Sequence, residues 1–139
     1  SDNVKKNAST RTSVSGYAWG ESLDSIIALS PRCDYVLAAD TVWMEQNHST
    51  FLESVVMIMD NMTSQKPQGT KLILAYMDHD TNGKTVEKFF DLALRDLKVE
   101  FKSSYDWRIN EHVHSSGRGN ISNAEDYGDV HISVLSRCK

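Results

Sequence analysis

The sequence predicts an α/β protein built on a mostly parallel sheet, and three observations carry that prediction. The run Tyr35-Val36-Leu37-Ala38-Ala39 is continuously apolar, which is the pattern of a strand buried on both faces. Two amphipathic stretches, about His48 to Met62 and about Lys84 to Leu97, alternate with apolar strands and imply right-handed crossovers. The last two strand-like segments follow one another without a helix between them, which implies an antiparallel hairpin.

Taken in order, Ser1 to Lys6 reads as the last turns of a helix, and Thr12 to Tyr17 as a weakly alternating, β-prone strand. Ala18-Trp19-Gly20-Glu21 is a turn, and Leu23 to Leu29 a helical turn closed by Ser30-Pro31. Tyr35 to Ala39 is the next strand. In the first long helix Phe51, Leu52, Val55, Val56, Met59 and Met62 fall on one face. Ser49 or Thr50 is placed to cap it, with Glu53 as the second half of a capping box. Its methionines fit core filling better than a cofactor site.

Ser64 to Gly69 is a loop, and Thr70 to Tyr76 a strand around Leu72-Ile73-Leu74-Ala75-Tyr76. Met77 to Gly83 is a polar turn. The second long helix buries Val86, Phe89, Phe90, Ala93, Leu94 and Leu97. Lys98 to Lys102 is a strand with Val99 and Phe101 on one face. Ser103 to Gly128 is a long polar loop of the kind that carries function or motion. Val130 to Leu135 is a final strand whose alternation suits an antiparallel edge position.

Length and composition narrow the class. At 139 residues the chain is one domain or part of one, and 40% hydrophobic with 24% charged residues is a globular balance. A formal charge of -4 and a pI near 5.7 supply no electrostatic attraction for nucleic acid. No apolar run approaches the roughly 20 residues that cross a bilayer, so no membrane association is expected. Ser1 to Arg11 lacks the apolar core of a signal peptide. The two cysteines, Cys33 and Cys138, have neither disulfide-scaffold density nor metal-site spacing. A cytoplasmic protein is expected, with the nucleus as the alternative compartment. On that reading the four Asn-X-Ser/Thr sequons at Asn7, Asn47, Asn61 and Asn120 are chance matches.

Several kinds of chemistry lack their pattern. There is no phosphate-binding lysine loop and no Gly-x-Gly-x-x-Gly. Gly117-Arg118-Gly119 does not stand between a strand and a helix. Asp78-His79-Asp80 and His112-Val113-His114 carry metal-ligand residue types but read better as surface turns, and no metal site is expected. A Ser/His/Asp triad is compatible with the composition, but no Gly-x-Ser-x-Gly elbow is present.

Two features remain. Asp40 stands where the strand Tyr35 to Ala39 leaves the sheet, and open parallel sheets bind ligands at the carboxyl ends of their strands. Trp19-Gly20 follows the preceding strand-like segment, and Trp43 stands three residues beyond Asp40. A tryptophan face suits an adenine ring or a cation, and a neighbouring carboxylate suits an ammonium or a sulfonium. A core tryptophan with a helix-capping or loop aspartate is the plainer reading of the same residues.

These residues resemble a known family. Asn3-Val4-x-x-Asn7, Tyr17-x-Trp19-Gly20, Asp34-Tyr35-Val36-Leu37-Ala38-Ala39-Asp40-x-x-Trp43 and the following His48 resemble the C-terminal half of a class I, seven-strand, S-adenosylmethionine-dependent methyltransferase. The branch is the one containing protein-lysine methyltransferases and fungal nicotinamide N-methyltransferase-like proteins. The resemblance covers nearly all of the chain, so residues 1–139 are expected to form the C-terminal portion of a single methyltransferase domain with a Rossmann-like sheet. It implies that Trp19 packs on the cofactor's adenine, with Gly20, Ala39 and Asp40 lining the cofactor. It further implies that Asp40 faces the methyl-accepting group, and that Trp43 occupies the aromatic position of the Asp-x-x-aromatic motif. That position is commonly tyrosine, so the ring is kept and the hydroxyl lost. His48 is a weaker correspondence that fits a helix cap equally well. The hairpin loop Tyr105 to Tyr127 resembles the part that varies with substrate.

The family's first two strands, with their glycine-rich loop and ribose-binding acid, are not matched here. In its sheet they lie between the strand at Thr12 to Tyr17 and the strand ending at Asp40. The chain is therefore expected to be incomplete and inactive alone, and to need a second chain or an N-terminal segment that supplies the glycine-rich loop. Exposing that apolar edge without it is an aggregation hazard. Two functions follow. One is methyl transfer to a protein, with lysine favoured by analogy over a protein N-terminus or a small heterocycle such as nicotinamide. The other is a non-catalytic, methyltransferase-like interaction module that completes its sheet with a partner.

Overall fold

The structure is a computed structural model and describes residues 12–78, 83–105 and 129–138. Its elements are α1 (Asp24–Leu29), β1 (Tyr35–Ala39), a 3-10 turn at Glu45–Asn47, α2 (His48–Asn61), β2 (Lys71–Tyr76), α3 (Lys84–Ala93), β3 (Leu97–Tyr105) and β4 (Val130–Arg137). The four strands form one mixed sheet in the order β1-β2-β4-β3. β1 and β2 are parallel, with Val36 opposite Leu72 and Ala38 opposite Leu74. β4 runs antiparallel between β2 and β3. Three strands thus point one way, but only one of the three pairings is parallel, so the mostly parallel sheet of the sequence reading is corrected to a mixed one. The α/β class and the closing antiparallel hairpin stand.

The core lies between one face of the sheet and helices α2 and α3. Alternate residues of β2, namely Leu72, Leu74 and Tyr76, are buried, as are Leu97 of β3 and Leu135 of β4. From α2, Phe51, Leu52 and Val55 meet them, and from α3, Val86, Phe89 and Ala93. Phe89 has no exposed surface, and its ring stands 5.4 Å from His48, 6.1 Å from Phe51 and 5.4 Å from Phe90, centroid to centroid. Outside this layer, Arg137 ties the end of β4 to both helices' ends. Its guanidinium pairs with Asp60 at 3.0 Å and with Asp96 at 2.8 Å. The bonded carboxylates make it hold its proton more tightly than a free arginine.

Four expectations change. Thr12 to Tyr17 forms no regular element: among the described residues no strand lies beside it to complete a ladder. β1 has the expected bounds but is not buried on both faces: it is the sheet edge, with Leu37 75% exposed and Tyr35 also outside. β4 is interior, and the edge on its side is β3. A bulge between Val99 and Phe101 sets Val99 opposite Leu135 and Phe101 opposite Val134, so the two lie on opposite faces rather than one. The helix limits also move. α2 starts without a side-chain cap, and Thr50 donates to the Asn47 carbonyl instead. α3 ends at Ala93, which frees Leu97 to begin β3. Ser1 to Arg11, with the helix expected there, His79-Asp80 and the loop from Asp106 to Gly128 lie outside the described residues.

Two predictions follow from this packing. Phe89→Ala removes the ring on which three others rest and should cost about 3–5 kcal/mol in chemical denaturation. The second concerns acid. Asp34 accepts from Ser64 Oγ at 2.8 Å and from the Gln65 backbone N–H at 2.7 Å, which holds its carboxyl below the ordinary 3.8. The Lys71 ammonium and the Ser136 hydroxyl do the same for Glu100. Carboxylates depressed by folding stabilise the native state above their unfolded values and cease to as pH falls through the folded ones. Stability should therefore decline below about pH 4, and Asp34→Asn should flatten that acid limb when unfolding midpoints are measured against pH.

Candidate functional site

The site begins at the carboxyl end of β1. Asp40 is the first residue past the strand, and its backbone N–H still donates to the Ala75 carbonyl at 2.8 Å, extending the parallel ladder by one step. Its φ of 52° is the only positive value at a non-glycine residue among those described. The left-handed region costs an L-residue about 1–2 kcal/mol, and aspartate is one of the few that occupy it. The reversal turns the chain away from the sheet and leaves the Asp40 side chain exposed beyond the strand end. Ala39 is exposed beside it.

The segment after Asp40 is pinned from below. Val42 is 1% exposed, and its carbonyl lies 2.8 Å from His48 Nε2. A carbonyl only accepts, so His48 carries its proton on Nε2 and donates it. His48 is itself buried, with its ring edge-on to Phe89 at 5.4 Å. It begins α2 but does not cap it; it clamps the 40–43 turn to the helix. Trp43, one residue past the clamp, is 49% exposed.

The Trp19-Gly20 turn reaches the same helix one turn later. Trp19 meets Phe51 edge-on at 5.2 Å and keeps 37% of its surface exposed. Gly20 donates its N–H to Ser54 Oγ at 2.7 Å, and the Ser54 hydroxyl donates to the Thr50 carbonyl at 2.9 Å. The Tyr17 hydroxyl donates to the Glu21 carbonyl at 2.9 Å and lies 3.2 Å from the same Ser54 oxygen. Gly20 has a φ of +85°, a conformation that glycine reaches without strain.

Both sequence motifs therefore dock on the N-terminal half of α2. The turn carrying Asp40 and Trp43 is held by His48, the turn carrying Trp19 and Gly20 by Phe51 and Ser54, and Phe89 lies beneath both. His48 and Ser54 do this positioning. Ser54, buried at 3%, was missed by the sequence reading. The signal for it was a polar residue inside the apolar stripe of a helix, between Phe51 and Val55. Among the described residues no group of three His, Cys, Asp or Glu side chains is arranged to hold a metal.

A scan against protein-family models finds no match to this chain, and a search of curated proteins finds none. No helix among the described residues is long and apolar enough to cross a membrane.

The backbone at Asp40 can be tested directly. Asp40→Gly and Asp40→Ala both remove the carboxylate, but only glycine relieves the left-handed conformation. The glycine variant should be about 1 kcal/mol more stable than the alanine variant in urea unfolding. Equal stabilities would mean that the turn does not hold this backbone.

Proposed function

We propose that the chain supplies one wall of an S-adenosylmethionine site and takes part in methyl transfer to a protein acceptor, with a lysine amine as the favoured nucleophile. The observation that carries this reading is the convergence of the Asp40-x-x-Trp43 turn and the Trp19-Gly20 turn on one helix, at the carboxyl end of a parallel strand pair. Trp19, Trp43 and Asp40 are all exposed on these two turns. An aromatic face attracts a sulfonium or ammonium by roughly 0.5–2 kcal/mol, and a carboxylate orients one. When bound, the cofactor supplies an electrophilic methyl group.

The role of this chain would be positioning. Trp19 would receive the adenine on its free surface, with its other side braced by Phe51. Gly20 supplies the left-handed backbone (φ +85°) with which this turn meets α2. Asp40 would orient the acceptor amine or the cofactor's amino group, and Trp43 would wall the cationic centre against water. Direct in-line displacement draws on such orientation rather than on a covalent enzyme intermediate.

The reading also explains the edge position of β1. Among the described residues no strand pairs with its outer side, and Leu37 and Tyr35 are exposed there. The unmatched strands of the resembling family would lie at this edge, brought by a second chain or an N-terminal segment together with the glycine-rich loop. The same open edge favours the second reading, a sheet-completing interaction module without catalysis. Protein acceptor, cofactor and completing segment are all part of the proposal.

The test is reconstitution. The chain is combined with a segment carrying two strands and a glycine-rich loop, and transfer of a radiolabelled methyl group to protein is measured. Asp40→Ala should abolish transfer, and Trp19→Ala should weaken cofactor binding about 10-fold, the equivalent of ~1.4 kcal/mol. Full turnover by Asp40→Ala would remove Asp40 from the mechanism. Sheet completion without any transfer would favour the interaction module.

A further inference from the structure

A second group of reactive side chains lies past the carboxyl end of β2, at the same end of the sheet as Asp40 but on the side of β4 and β3. His131 and Ser104 are directly opposed across the β3–β4 hairpin, and Ser104 Oγ lies 2.7 Å from His131 Nδ1. The other ring nitrogen, Nε2, faces Asp78 Oδ2 at 3.8 Å. A carboxylate beside Nε2 favours the tautomer with the proton on that nitrogen, which leaves Nδ1 to accept the serine proton. The order Asp78, His131, Ser104 is therefore that of orienting acid, base and hydroxyl, with the two ring nitrogens exchanged relative to the usual triad.

The three residues line one cavity of about 460 Å³ with Tyr76, Phe90 and Lys102. The His131 ring stacks on Tyr76 at 5.2 Å, which fixes its plane. Tyr76 is 3% exposed and forms a buried backing for that ring. Lys102 Nζ stands 4.9 Å above the Phe90 ring and brings a positive charge to the same space.

We propose that Ser104 is a nucleophilic serine and that this cavity accepts an acyl ester, an activity independent of the methyl-transfer reading. Ser104 Oγ attacks the acyl carbon while its proton passes to His131 Nδ1. The ester's C–O bond breaks, and the departing alcohol takes that proton. Water then attacks the acyl-serine, gives its proton to His131, and the carboxylic acid leaves as the serine is reprotonated. Asp78 positions the imidazole. The Lys102 ammonium is the available donor for the developing oxyanion, and Phe90 forms an apolar wall for the acyl chain.

The experiment treats the full chain with a fluorescent fluorophosphonate. The P–F bond breaks, fluoride leaves, and the phosphorus is trapped on a reactive serine oxygen. Peptide mass mapping should find a single adduct on Ser104, absent from Ser104→Ala. Labelling should slow by at least ~100-fold in His131→Ala, as expected for loss of a general base, and added imidazole should restore part of it. If His131→Ala fails to fold, His131→Gln replaces it and should be as slow. No adduct on Ser104 in the wild-type chain, or equal labelling without the His131 imidazole, would overturn the proposal.

Discussion

Phe89 carries no exposed surface, and the rings of His48, Phe51 and Phe90 all rest against it. This aromatic layer is the constraint on which the candidate site depends. α3 contributes Phe89 and Phe90, α2 contributes His48 and Phe51, and the sheet lies beneath. Each ring holds something else in place. His48 grips the Val42 carbonyl and with it the turn that follows Asp40. Phe51 supports Trp19. The two turns never need to bond one another, because each is referred to the same helix and the same buried ring.

The sheet supplies the second constraint. β4 enters between β2 and β3, so the crossover through α3 has to pass over the space that β4 fills. That insertion buries Leu135 and Ser133 in the middle of the sheet and leaves β1 at one edge and β3 at the other. An edge strand exposes backbone donors and acceptors, and proteins commonly blunt such edges with charge or a bulge. β3 follows that rule: its bulge lies at Glu100, whose carboxylate pairs with Lys71 at 2.6 Å. β1 does not follow it, and an apolar, uncharged strand at an edge is suited to pairing with another segment.

Much of the fold was legible in the residue pattern. β1 and β2 were found within a residue, and both long helices were found with most of their buried faces, because period and burial coincide in them; Leu94, expected in the buried stripe of α3, lies just past its end and is 53% exposed. Thr12 to Tyr17 was misread because strand propensity has no meaning without a neighbour to pair with. The faces of Val99 and Phe101 were misread because a bulge changes register without leaving a mark in the alternation. The site was legible in part. Asp40, Trp43, Trp19 and Gly20 announced themselves by residue type and by their places next to strands, whereas Ser54 is one serine among many until its oxygen is seen to accept from Gly20.

By itself the sequence determined the α/β class, the order of the elements and the candidate residues at the end of β1, since these rest on local periodicity and on where an apolar run stops. Only the tertiary structure decided that β4 lies inside the sheet, that β1 is an open edge and that two distant turns meet on α2. It alone set His131 between Ser104 and Asp78. Those are choices among pairings that are equally compatible with the local pattern. They are made by the burial of Leu72, Phe89, Leu97 and Leu135 in one shared core, a quantity that no short window of the chain contains.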